Sequence, residues 1–370
     1  MNKIKYSWAK PTLSSLEKKY VTDALDSTWI SGGPYVERFE SEFEQAIKAP
    51  HIVTTSNGTT ALLLAYLALG ISSGDEVIIP GFSFVSPANM AITLGARPVF
   101  VDVDPDSWCL DPAKVEKAIT KKTKAICAVH TYGNVCDMKP LREICRKHHL
   151  FLIEDTAEAV FSRYNGQYAG TFSDAGAFSF QATKTITMGE GGCVAIRDKK
   201  LSARMKMIRS HGMNRKRIYW HSVIGHNFRL SNLQAAIGCA QLERVDQIIA
   251  QKKRVYDLYC QHLKNIPGIT MQEFKKPVLP VVWAVAVKLN PKAFKGNRQG
   301  IREHMLQAGI ETRPAFYPFQ TMPLYRDFVK EQLPVARDIG ANVLSLPSFV
   351  QLKAEEIAYI CKTLLSTKKK

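Results

Sequence analysis

The chain has 370 residues, 46% hydrophobic and 22% charged, the make-up of an ordinary globular protein with room for two domains. No apolar run reaches the roughly 18 residues of a membrane span, and the N-terminal residues lack the apolar centre of a signal peptide, so the expected location is the cytoplasm. The formal charge of +17 is spread along the chain in short clusters such as Arg215-Lys216-Arg217 and Lys252-Lys253-Arg254, which reads as a basic solvated surface or as attraction for a polyanionic small molecule, with no nucleic-acid motif beside it.

Residues 11–48 carry apolar positions at helical spacing, broken by a turn-rich stretch from Ser27 to Pro34. A strand over 52–54 leads through Ser56-Asn57-Gly58-Thr59-Thr60 into an apolar helix over 61–69. Gly58 allows a tight turn, and the free amides at this helix start either face an anion or belong to an ordinary Asn/Thr cap. Strands over 76–80, 98–103, 125–129 and 151–153 then alternate with helices over 85–94, 112–119 and 140–148. That alternation predicts an α/β fold with a large, mostly parallel sheet covered by helices. Further strands are expected over 175–180 and 193–196, then a helix over 199–213. A basic and aromatic loop follows over 215–228, then one long helix from Asn232 to Leu263. The remainder reads as a smaller α+β domain, with a strand region over 278–287 and helices over 302–308 and 355–364. The division is a large domain, 1–245, and a C-terminal domain, 246–370.

The chemistry gathers at strand ends. Asp155 ends one apolar run, Ser179 lies near the end of the next, and Lys184 follows it closely. Phe84 follows the strand that ends at Pro80. Strand ends are where α/β proteins bind ligands. The set matches the needs of pyridoxal phosphate. A lysine holds its aldehyde, and a carboxylate keeps its ring nitrogen protonated. A helix start with hydroxyls takes the phosphate, and a flat side chain covers the ring. Here these are Lys184, Asp155, Gly58-Thr59 with Ser179, and Phe84. The eight cysteines form no C-x-x-C pair, so neither a disulfide framework nor a metal site is expected.

Several motifs resemble the DegT/StrS-type sugar aminotransferases, which share the aspartate-aminotransferase-like fold (fold type I). They are Glu154-Asp155-Thr156-Ala157-Glu158-Ala159, Ser179-Phe180-Gln181-Ala182-Thr183-Lys184, Gly189-Glu190-Gly191-Gly192, the stretch from Gly225 through Asn227 to Ile237, and Gly309 to Pro314. The resemblance spans nearly the whole chain. It implies pyridoxal phosphate cycling through pyridoxamine phosphate, with Lys184 and Asp155 as catalytic residues. It also implies a homodimer in which Asn227 reaches the phosphate of the neighbouring subunit's cofactor. Finer phrases, such as Lys184-Thr185-Ile186-Thr187, resemble a subgroup that aminates GDP-4-keto-6-deoxymannose at C4 with L-glutamate as donor. The implied product is GDP-perosamine, and the implied setting is O-antigen synthesis.

Three residues depart from the usual family pattern. Glu158 stands where many relatives have Gln near the cofactor's phenolic oxygen. His226 replaces a Tyr. Gln320 replaces a His in the segment expected to meet substrate. His211, Arg313, Tyr317 and the loop Arg215–His221 are candidate contacts for the pyrophosphate or sugar. Two alternatives within the family are a UDP- or dTDP-linked ketosugar, and a sugar dehydratase. Dehydratase relatives carry His in place of the lysine, so Lys184 argues against the second.

Overall fold

The structure, a computed structural model, describes residues 4–214 and 217–369. Arg215 and Lys216 of the predicted basic loop, and Lys370, lie outside the described residues. Two helices open the fold, α1 (Ser15–Asp26) and α2 (Pro34–Ile47). A capping box of Ser14 and Glu17 starts α1, and Pro34 starts α2. The α/β layer follows as β1 (His51–Thr55), α3 (Gly58–Ala68), β2 (Glu76–Pro80), α4 (Ser86–Thr93), β3 (Arg97–Val101) and α5 (Pro112–Ala118). It continues through β4 (Thr123–Val129), α6 (Met138–His148), β5 (Phe151–Asp155), a small hairpin of β6 (Arg163–Tyr164) and β7 (Gln167–Tyr168), β8 (Ala175–Ser179), β9 (Gly192–Ile196) and α7 (Lys199–Ile208).

Seven of these strands form one sheet in the order β1-β9-β8-β5-β4-β2-β3. β9 runs antiparallel to both of its neighbours, β1 and β8; the five strands from β8 to β3 are parallel. Their residues are buried almost without interruption, as expected for a sheet covered on both faces. The predicted mostly parallel sheet is therefore present.

The C-terminal part holds α8 (Asn232–Glu243), α9 (Val245–Leu263), β10 (Ile269–Met271), β11 (Val278–Leu279), β12 (Ala286–Leu289), α10 (Arg298–Gln307), β13 (Arg313–Pro314), α11 (Pro334–Asn342), β14 (Val343–Ser345) and α12 (Ala354–Leu365). Here β10, β12, β14 and β13 make an antiparallel sheet. Its core, with Tyr259, Val287, Met305, Leu344 and Ile360, is separate from the large-sheet core.

Three predicted elements differ. The helix expected over 232–263 breaks at Arg244, without glycine or proline. Its first half packs on α1 and α2 and its second on α12, while the Arg244 guanidinium donates to Glu17 at 2.9 Å. The helix over 199–213 stops at Ile208, because His211 and Gly212 both take left-handed backbone angles and turn the chain back. The strand region over 278–287 becomes two strands in different sheets. Pro280 supplies no N–H, and between the strands the chain crosses the mouth of the large sheet.

Candidate active site

A cavity of about 950 Å3 opens at the C-terminal ends of the parallel strands. Asp155, the last residue of β5, lies in its floor. The alternation of a strand sends Glu154 to the opposite face. Glu154 is fully buried and accepts from the backbone amides of Gly170, Phe172 and Ser173 and from His130 Nε2 at 3.0 Å. The Nδ1 atom of His130 accepts from the Cys136 amide, so its proton is on Nε2. Burial pushes Glu154 up, but these hydrogen bonds outweigh it and hold the carboxyl below its ordinary range. Asp155 is less satisfied. Oδ1 accepts from the Ala157 amide at 3.1 Å; Oδ2 has no hydrogen bond among the described residues. Burial pushes Asp155 up against the pull of that amide, Lys184 and His130.

The start of α3 forms another side of the cavity. Asn57 and Thr60 make a reciprocal capping box, so the ordinary-cap reading of this turn is correct as far as those two residues go. The cap leaves the amides of Gly58 and Thr59, at the first helical positions, without intrahelical acceptors. Opposite lies Ser179, the last residue of β8. A Cβ on Gly58 would stand 2.6 Å from Ser179 Cβ, so the glycine keeps this cradle open. The Thr59 hydroxyl is 3.1 Å from that of Ser86.

Lys184 sits on the turn after β8. Among the described residues its Nζ has no carboxylate partner, and it lies 3.8 Å from the ring centroid of Trp283. Burial pulls the amine down, against the opposing effect of Glu158 and Asp155. Glu158 accepts from the Tyr132 amide at 2.8 Å, and burial pushes it up to about 7, despite Lys184 and that amide. A carboxyl raised to about 7 and an amine lowered by burial thus face one cavity, the kind of perturbed pair that marks a functional site.

An aromatic wall completes the cavity. Phe316 stacks on Tyr132 with centroids 5.6 Å apart, and Tyr132 stacks on Trp283 at 6.1 Å. Phe84, 53% exposed, meets Phe316 edge-on at 6.0 Å. Arg313 and Tyr317 stand at the mouth, with Arg313 paired to Glu311 at 2.6 Å.

Nine of the residues singled out in the sequence therefore line one cavity: Gly58, Thr59, Phe84, Asp155, Glu158, Ser179, Lys184, Arg313 and Tyr317. Asn227 and His211 do not. Asn227 is exposed and accepts from Arg229 Nε at 3.1 Å. His211 is also exposed, and its carbonyl lies 2.8 Å from His221 Nδ1. Gln320 is likewise off the cavity: its amide group bonds both the N–H and the carbonyl of Leu333 at 3.0 Å. It is a brace for a loop, so its departure from the usual His does not bear on this wall of the site. Trp283, Phe316 and Trp8 were missed as site residues. Trp283 lies in an apolar run that reads as core, and no spacing signal separates it from its neighbours.

The residues fit pyridoxal phosphate. Among the described residues Asp155 offers a carboxylate oxygen without a partner and Lys184 an amine free of ion pairs, and the Gly58 cradle offers backbone amides and the Ser179 hydroxyl. The sequence pattern of the DegT/DnrJ/EryC1/StrS aminotransferase family matches residues 11–365. A GDP-perosamine synthase of Escherichia coli O157:H7 is 43% identical over 356 residues, covering 96% of each chain. Among solved structures, Helicobacter pylori PseC, an aminotransferase of pseudoaminic acid biosynthesis, superposes with a TM-score of 0.93 at 29% identity, over 98% of each chain. The E. coli GDP-4-keto-6-deoxy-D-mannose-3-dehydratase, solved with hydrated pyridoxal phosphate, gives 0.92 at 25% identity, over 98% of this chain and 100% of that one. With its full-length sequence match and a strand-end cavity that holds the expected lysine and carboxylate, this chain belongs to the DegT/DnrJ/EryC1/StrS aminotransferase family.

Proposed function

We propose that this pyridoxal-phosphate-dependent aminotransferase moves the amino group of L-glutamate to C4 of GDP-4-keto-6-deoxymannose, giving GDP-perosamine. The observation that carries the substrate assignment is the 43% identity to the E. coli GDP-perosamine synthase across nearly the whole of both chains. O-antigen synthesis is the setting that product fits.

Bound pyridoxal phosphate supplies an aldehyde that exchanges amines and a ring that accepts electrons from a deprotonated carbon. The rest is done by side chains. Gly58, Thr59 and Ser179 bind the phosphate, through amides and hydroxyls at a helix start. Asp155 Oδ2 would pair with the ring nitrogen, and that cationic partner would keep the carboxyl ionised against the pull of burial. Phe84 covers the ring face. Lys184 Nζ would hold the cofactor's aldehyde until the glutamate amine displaces it; the freed amine is then placed to take the proton from Cα of glutamate and, in the return half, to deliver a proton to C4 of the sugar. Burial lowers the basicity of that amine, which favours the neutral form that can accept a proton. Glu158 faces the same space and, when protonated, could donate a hydrogen bond to the cofactor's phenolic oxygen. Arg313 and Tyr317, at the mouth, are placed for the anionic nucleotide and sugar.

We also propose a homodimer, in which Asn227 of each subunit serves the phosphate bound by the other. In support, Asn227 stands away from its own cavity, near the exposed apolar residues Ile218, Tyr219, Trp220 and Ile224. The seven-stranded sheet, built before residue 245, and the four-stranded sheet, built after it, favour two domains divided near residue 245. The cytoplasm fits a chain whose eight cysteines are all free thiols, seven of them buried.

Amine transfer from glutamate should be assayed against GDP-, UDP- and dTDP-linked 4-ketosugars. GDP-4-keto-6-deoxymannose should be preferred. A preference for a UDP or dTDP sugar would overturn the substrate and leave the aminotransferase chemistry standing.

A further inference from the structure

Lys252 is a buried lysine that the reaction above does not use. It lies on α9 in the buried stripe Ile248, Lys252, Val255, Tyr259 and Leu263, at a position where helical periodicity calls for an apolar side chain. Its Nζ donates to the Trp283 carbonyl at 3.1 Å, and no ion pair accompanies that bond among the described residues. Burial alone pulls it down to about 8. A buried ammonium without a counter-charge is costly, and methionine would fill similar space without that cost.

The residue that Lys252 holds is the one beneath Lys184. The Trp283 amide donates to the Tyr132 carbonyl at 3.1 Å, its carbonyl accepts from Lys252, and its indole Nε1 donates to the Thr183 carbonyl at 2.7 Å. Its ring meets Trp8 edge-on at 5.6 Å. Trp283 therefore holds Lys184 at both ends: the ring faces the amine, and the indole N–H binds the peptide just before it. Lys184, Trp283 and Lys252 also share the wall of a second cavity, of about 30 Å3.

We propose that Trp283 and Lys252 are positioning residues for Lys184, with the Trp283 ring as the resting place of the lysine amine whenever it is not bonded to the cofactor. This rests on the assignment of Lys184 as the cofactor lysine. The amine is released when glutamate binds and must return to the same carbon after the second proton transfer. A lysine stem has several rotatable bonds, so an unbound amine needs a defined station. The ring face attracts the ammonium form, while burial favours the neutral amine that attacks. Those opposing pulls keep the proton transferable. Lys252 fixes the peptide that carries the ring.

Covalent capture separates this role from packing. Apoenzyme mixed with pyridoxal phosphate reports the approach of Lys184 to the aldehyde, through the rise of visible absorbance. Pyridoxamine phosphate binding uses the same cradle without the lysine. Lys252→Met and Trp283→Leu should each slow capture by roughly 10-fold or more, as misplacing a reacting group does, and leave pyridoxamine phosphate affinity within about twofold. Trp283→Phe keeps a ring and loses the N–H, so it should lie between Trp283→Leu and the wild type. Thermal melting checks that Lys252→Met is folded. Wild-type capture rates in Lys252→Met and Trp283→Leu, with borohydride still labelling Lys184, would overturn the proposal alone. Equal losses for both cofactor forms would assign the two residues to packing and also overturn it. Labelling of another lysine in the wild type would remove the cofactor assignment itself.

Discussion

The floor of the cavity and its aromatic wall were built by different routes. The floor is local: Asp155, Ser179 and Lys184 fall within 30 positions and sit where two buried strands adjacent in the sheet, β5 and β8, end. The wall joins Phe84 and Tyr132 to Trp283, Phe316 and Tyr317 from beyond position 280. Local chemistry at strand ends announces itself through polarity against an apolar background. A wall made of aromatics gives no such contrast, because core and site look alike until the chain is folded.

That contrast is broken most sharply at Lys184. Lys184→Ala should cut turnover by roughly 10²–10⁴-fold or more, the scale of lost acid–base catalysis, while equilibrium dialysis still finds pyridoxamine phosphate bound. Next comes the cradle. Gly58→Ala forces a Cβ against Ser179 at 2.6 Å, and overpacking of this kind costs about 1–3 kcal/mol. We expect affinity for both cofactor forms to fall together, as measured by titration, which distinguishes this floor residue from the wall residue Trp283.

Glu158 links floor to wall through the Tyr132 amide, and its effect is on pH dependence. Its carboxyl is raised to about 7 in the folded apoenzyme, so the folded state binds that proton more tightly than the unfolded state. The resulting stability is fully present below the ordinary carboxylate range and is lost as pH rises through about 7. The amount is of order a few kcal/mol. Thermal melts of the apoenzyme should fall over this window in the wild type and change less in Glu158→Gln. A wild-type slope persisting in the variant would assign the titration elsewhere. The smallest effect belongs to Gln320, the loop brace that lies off the cavity. Gln320→Ala removes two bonds to Leu333 and should lower stability by about 1–3 kcal/mol, with KM for the sugar nucleotide unchanged.

Much of this was legible in the sequence, for identifiable reasons. The parallel sheet followed from alternating runs, and the open helix start at Gly58, the proposed phosphate cradle, from Asn57-Gly58 before an apolar helix. Glu154 and Asp155 illustrate the limit. Adjacent carboxylates look equivalent in sequence, but strand alternation gives Glu154 four hydrogen bonds inside the fold and leaves Asp155 to face the cavity. The break at Arg244 was invisible because packing of α8 and α9 on different partners, not a helix breaker, ends the helix. Lys252 read as part of a surface charge cluster, since only the fold shows which face of α9 is covered. Asn227 and His211 lie outside the cavity that a single chain builds, and no motif in one chain states where a second chain would sit.

The central claim is that Lys184 carries the cofactor. Borohydride reduction of the purified protein, followed by peptide mapping, tests it in one step. We expect one reduced pyridoxyl group per chain, on Lys184, with loss of the visible absorbance. A label on any other lysine, or a protein that takes up none, would contradict it.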